Sequence, residues 1–246
     1  MNIKYLALAA TALLGTPAFA EDVSYSVDGD ALTGYWAAAE NPQGLVLIVH
    51  DWDGLTDYER KRADMLAQMG YDAFALDMFG DQTPVDTVDH RRAATGALYE
   101  NRERMRALLQ AGVTQARERS EADALVVMGY CFGGAATLEM ARSDMAGEAR
   151  GYATFHGGLS TPEGQSWDGD EPPLLVLHGG ADTSITLEDV AGFVSELEKA
   201  GNTYTAQIYS NAPHAFTVFD SDRYDARADA ASWDAFTDFL AESTSE

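Results

Sequence analysis

The chain has 246 residues, 46% of them apolar and four of them tryptophan, which is enough to bury a sizeable core and too apolar for a disordered segment. Forty acidic side chains stand against 16 basic ones, a net charge of −24 that disfavours nucleic acid and anionic membranes as partners. Cys131 is the single cysteine, so no internal disulfide can form.

The first twenty residues read as a secretory leader. Lys4 supplies a positive start, residues 5–14 are a short apolar run, and Ala18-Phe19-Ala20 before Glu21 is an A-x-A cleavage site. The run is too short to span a bilayer. The expectation is a signal peptide over 1–20 and one exported domain over 21–246, periplasmic or secreted, acting as a monomer with no membrane span.

Residues 23–37 alternate loosely around Asp28-Gly29-Asp30, the pattern of two antiparallel strands joined by a tight turn. Residues 45–49 are a continuous apolar run, as in a strand buried on both faces. His50-Asp51-Trp52-Asp53-Gly54-Leu55 forms the loop after it. Thr56 and Glu59 make a capping box that opens a helix reaching Gly70. A strand over 73–76 follows, then a loop, then a helical region over 85–118 with expected breaks at Gly96 and Gly112. Further strands fall at 125–129, 151–155, 174–177 and 204–209. Helices follow at 134–142, 187–200 and from Arg223 onward. Strand and helix alternate from residue 45, which implies an α/β domain whose mostly parallel sheet carries helices on both faces.

The stretch Gly129-Tyr130-Cys131-Phe132-Gly133-Gly134-Ala135-Ala136 ends an apolar strand and opens a helix. It has the G-x-nucleophile-x-G pattern, with cysteine as nucleophile. The flanking residues must be small for strand and helix to approach. The helix N-terminus is expected to lower the thiol pKa, and the backbone N–H of Phe132 to stabilise an oxyanion.

In an open parallel sheet the site lies past the carboxyl ends of the strands. The polar residues there are His50 and Asp51, Asp77, Cys131, His156, His178 and Asp182, and His214. Cys131, Asp182 and His214 have the chain order nucleophile, acid, histidine. Alone, Asp182 is readable as a turn or capping residue and His214 as an ordinary loop histidine. Jointly they form a triad in which histidine accepts the thiol proton and the carboxylate fixes its tautomer. His50, His156 and His178 lack metal-site spacing and are expected to brace loops, so no metal and no cofactor are implied.

With these motifs the mature chain resembles the dienelactone hydrolase family. The resemblance rests on the Cys131 turn, on His178-Gly179-Gly180-Ala181-Asp182 and on Ala212-Pro213-His214-Ala215-Phe216. It is supported by residues 50–55 and 70–77. It implies an α/β-hydrolase cleaving small esters or lactones through an acyl-cysteine. Cys131 would be the nucleophile, His214 the base and then acid, and Asp182 its orienting partner, with the backbone N–H of Trp52 as second oxyanion donor beside Phe132. Family members acting on dienelactone carry a glutamate against the resting thiol, where Asp51 stands here. They also carry a substrate-binding arginine in the loop after the next strand, where Asp81 is expected to stand. A carboxylate-bearing lactone would meet repulsion at Asp81. The same residues admit a peptidase or thioesterase, and, from a different class, a non-catalytic pseudo-hydrolase that binds a ligand or protein.

Overall fold

The computed structural model describes residues 19–245. The expected leader therefore lies outside the described residues, apart from Phe19 and Ala20. Eight strands form one sheet: β1 (Phe19–Val27), β2 (Asp30–Ala38), β3 (Leu45–Val49), β4 (Asp72–Leu76), β5 (Leu125–Tyr130), β6 (Gly151–Phe155), β7 (Leu174–Gly179) and β8 (Tyr204–Tyr209). Their spatial order is β1-β2-β4-β3-β5-β6-β7-β8. The β1–β2 hairpin turns at Asp28 and Gly29, both at positive φ, and β2 joins β4 antiparallel. Every later pairing is parallel. This is the mostly parallel α/β sheet expected from the strand–helix alternation, and the α/β-hydrolase fold that the family resemblance implies.

The central strands bury both faces. Leu45, Leu47 and Val49 enter one core with Val127 and Val176, while Val46 and Ile48 enter the other with Met128 and Leu177. Helices α1 (Asp57–Gln68) and α6 (Ala226–Thr244) cover the second core. The first lies under α3 (Arg102–Arg117), α4 (Phe132–Ala141) and α5 (Leu187–Ala200). The capping box forms as read: Thr56 accepts from the first turn of α1, and Glu59 accepts the Thr56 backbone N–H at 2.9 Å.

The expected glycine breaks in the long helical region do not occur. The chain divides at Asn101, between α2 (Val88–Glu100) and α3. The Asn101 side chain accepts the Arg104 N–H and starts a new helix. Gly96 faces open space within α2, where a glycine is tolerated. Gly112 lies inside α3, pressed so closely on Leu76 that a Cβ would lie 2.7 Å from its Cδ1.

Candidate active site

The turn after β5 holds Cys131 at φ 49° and ψ −107°, a conformation that costs a non-glycine residue about 1–3 kcal/mol. Its surroundings explain the small residues on either side. A Cβ at Gly133 would strike the carbonyl oxygens of Val49 and His50, and one at Gly129 would strike the Gly133 backbone. The Cys131 N–H is anchored on the Phe155 carbonyl at 3.0 Å.

His214 arrives from the loop after β8. Its Nδ1 lies 2.7 Å from Asp182 Oδ2 and its Nε2 lies 3.1 Å from Cys131 Sγ. An ionised carboxylate only accepts hydrogen bonds, so the proton sits on Nδ1 and Nε2 is left bare to receive the thiol hydrogen. Asp182 follows β7 and takes two further N–H groups on Oδ1, from Ser184 at 2.8 Å and Ile185 at 3.0 Å. Burial alone would raise the Asp182 carboxyl. The hydrogen bonds from His214, Ile185 and Ser184 outweigh it and hold the group below its ordinary value. Three residues separated by up to 83 positions are thus brought into one hydrogen-bonded line.

The other wall differs from expectation. Burial, followed by the charge of Asp51 and a hydrogen bond to it, pushes the Cys131 thiol well above its usual range. The Phe132 N–H pulls in the expected direction, and it is outweighed. Sulfur at rest is therefore a thiol. Asp51 is itself buried, and desolvation raises its carboxyl to about 6. It accepts the Trp52 N–H at 2.5 Å, so the second expected oxyanion donor faces a carboxylate of its own chain.

The three remaining strand-end histidines brace loops. Nδ1 of His50 is 2.6 Å from the Asp51 carbonyl, and its Nε2 accepts the Met78 N–H at 3.0 Å. That acceptance places the His50 proton on Nδ1, and burial lowers the group's pKa. His178 Nε2 donates to the Ile185 carbonyl at 2.9 Å, beneath the Asp182 turn. His156 Nε2 is 2.9 Å from the Thr217 hydroxyl. Among the described residues, no group of three or more His, Cys, Asp or Glu side chains could hold a metal.

A cavity of about 320 Å³ opens over Cys131 and His214. Thr95 and Tyr99 of α2 roof it, the Phe132, Ile185 and Trp52 side chains give it apolar walls, and Arg223 stands at its edge. Composition and periodicity did not single out Tyr99, Ile185 or Arg223, because none lies beside a strand end in a recognisable motif. Asp81 does not line this cavity. Its N–H is tied to the Ala31 carbonyl at 3.0 Å, and its side chain is exposed beside Asp53 and Asp77 in a separate depression. The repulsion expected from Asp81 is corrected accordingly: the charged side chains at the cavity are Asp51 and Arg223.

The family model described as "Dienelactone hydrolase family" matches residues 32–244. A protein of Escherichia coli K12 described as "Putative carboxymethylenebutenolidase" is 26% identical over 218 residues, covering 83% of this chain and 80% of its own. The crystal structure of a dienelactone hydrolase-like promiscuous phosphotriesterase from metagenomic libraries superposes with a TM-score of 0.83 at 28% identity, over 93% of this chain and 99% of that one. An esterase of Thermogutta terrifontis, 19% identical, superposes at 0.66 over 91% and 94%, a likeness of fold.

Proposed function

Because the chain belongs to the dienelactone hydrolase family and is a hydrolase of the ester and lactone class, we propose that it works through an acyl-cysteine formed by Cys131, with His214 and Asp182 completing the triad. One observation carries this reading: a single imidazole bridges the thiol at 3.1 Å and the carboxylate at 2.7 Å.

The chemistry follows from that line. The thiol proton passes to His214 Nε2 as Sγ attacks the substrate carbonyl carbon, and Asp182 stabilises the imidazolium formed. Charge on the former carbonyl oxygen is met by the Phe132 N–H, and by the Trp52 N–H once Asp51 releases it. Collapse breaks the C–O bond, and His214 returns its proton to the departing alkoxide. Water, deprotonated by His214, then attacks the thioester, and the acid leaves as Cys131 is restored to a thiol. Asp51, a buried carboxylate facing the thiol, holds it protonated until substrate enters. The cavity volume fits a small ester or lactone. The complete triad favours an enzyme over a pseudo-hydrolase. The A-x-A site before Glu21 supports export, which mass measurement of the mature N-terminus tests.

The first experiment is hydrolysis of 4-nitrophenyl acetate by the wild-type protein and Cys131→Ala, with folding followed by circular dichroism. The expected outcome is a drop of about a thousandfold or more in the folded variant, with an acetylated Cys131 trapped in the wild type by rapid quench and mass spectrometry. Equal rates in both proteins would remove the acyl-cysteine reading.

A further inference from the structure

The geometry points to His156 and Thr217 as positioning residues for His214: a buried relay from the Arg62–Asp229 ion pair through Tyr58 and Thr217 to His156 fixes where the triad imidazole stands. This rests on the proposed role of His214 and adds what holds that residue in register with the thiol.

The relay crosses four elements. Arg62 of α1 is fully buried, ion-paired with Asp229 of α6, and donates to the Thr217 carbonyl at 3.1 Å. Its guanidinium lies against the rings of Phe219, Trp233 and Tyr58, at 4.3, 4.7 and 5.2 Å. Arginine has donors only, so its Nε–H gives to the Tyr58 oxygen at 3.3 Å. The Tyr58 O–H then gives to Thr217 Oγ1 at 2.8 Å. That leaves the Thr217 hydroxyl proton for His156 Nε2 at 2.9 Å. The arginine dictates the first link, and the Tyr58 hydroxyl carries the chain on to Thr217. Burial holds the His156 pKa far below the ordinary value, so the ring that bonds Thr217 is neutral.

Two features tie this relay to the active site and not only to the core. First, the His156 and His214 rings meet in a T-shape with centroids 5.2 Å apart, and Thr217 lies three residues along the loop that carries His214. A neutral ring can lie there through the catalytic cycle, whereas a charged one would repel the imidazolium. Secondly, His156 sits at φ 41°, a strained conformation for a non-glycine residue. The residue before it, Phe155, accepts the Cys131 N–H at 3.0 Å, and the His156 N–H donates to the Leu177 carbonyl at 2.8 Å. One strained turn therefore touches the nucleophile's backbone on one side and the base's ring on the other. His156 Nδ1 is buried without a hydrogen-bond partner among the described residues.

The test compares Thr217→Val, Thr217→Ser and His156→Phe in the full-length protein, with Ser120→Ala as a control. Ser120 bonds Asp72 at 2.7 Å near the opposite end of the strands, so its loss reports stability alone. Three quantities are read: kcat and KM for 4-nitrophenyl acetate, the rate of Cys131 alkylation by iodoacetamide at pH 7, and Tm. Thr217→Val and His156→Phe should lose about tenfold or more in kcat with KM within about twofold, because displacement of a reacting group acts on the chemical step. Alkylation should slow in step. Thr217→Ser, which keeps the hydroxyl, should stay within about threefold of wild type, and Ser120→Ala should be unaffected at matched Tm loss. A folded Thr217→Val with wild-type kcat, or an equal loss in Ser120→Ala, overturns the proposal. Tyr58→Phe removes the preceding link and decides the matter should Thr217→Val not fold. Absence of ester turnover in the wild type would overturn the hydrolase mechanism instead. Alkylation would then still decide the relay, and a wild-type rate in Thr217→Val would count against it.

Discussion

The two walls of the cavity are built on opposite principles. On the base wall, Asp182 accepts from Ser184, Ile185 and His214, and His214 reaches the thiol, so the polar side-chain atoms of Asp182 and His214 face their complements before substrate arrives. On the nucleophile wall, Asp51 stands against the thiol and occupies the Trp52 N–H. One wall is assembled at rest, and the other is held closed by a negative charge of its own. The contrast separates two tasks that the word "triad" merges. In the proposed mechanism, fixed hydrogen bonds orient the proton acceptor, whereas thiolate formation and release of the Trp52 N–H are coupled to substrate.

The sharpest way to break this comparison is Asp182→Asn. An amide can present its N–H to Nδ1 and reverse the imidazole tautomer, so kcat should fall about 10²–10⁴-fold with the fold retained, measured on 4-nitrophenyl acetate. A loss under tenfold would mean that the base wall is not pre-oriented as described.

A smaller effect sharpens the other wall. Asp51→Asn removes a charge that holds the thiol up, so iodoacetamide should alkylate Cys131 several-fold faster at pH 7 than in the wild type. An unchanged or slower rate would show that burial alone sets the resting thiol.

The smallest effect concerns what supports that wall. Glu59 caps α1 and also accepts the Asp51 N–H at 3.4 Å, and burial raises its carboxyl to about 7 from 4.5. Because the folded state keeps this proton while the unfolded chain has lost it, Glu59 removes stability as pH rises from about 4.5 to 7. Glu59→Gln has no such dependence. The difference Tm(Glu59→Gln) minus Tm(wild type) should therefore climb by a few degrees between pH 5 and pH 8, at roughly 2–4 °C per kcal/mol. A flat difference would mean that Glu59 ionises normally in place.

Much of this was legible in the residues. The apolar runs and the capping box at Thr56 set the strand–helix order, and that order placed Cys131, Asp182 and His214 at one sheet edge. The glycines around Cys131 were readable because the close approach of strand and helix leaves no room for a Cβ. Properties set by distant neighbours were not legible. The thiol's environment depends on Asp51, eighty positions away, and on burial. The division of the helical region falls at Asn101 because its side chain caps the next turn, while Gly112 serves packing. Asp81 was misplaced because nothing local announces that its loop folds toward the β1–β2 hairpin.

The division at Asn101 also matters for how such a catalyst could be retargeted. On one side of it, α3 is anchored: Arg102 and Arg106 bind the fully buried Glu139 of α4 at 2.7–3.1 Å, and Gln165 joins them at 2.9 Å. On the other side, α2 contributes Thr95 and Tyr99 to the roof and none of the triad. Residues 88–100 thus form a cassette with a natural seam, and the proposed triad lies outside it. Libraries at the cavity-facing positions of that cassette would explore substrate shape without replacing a member of the proposed triad, which makes it an economical place for selection, natural or directed, to act.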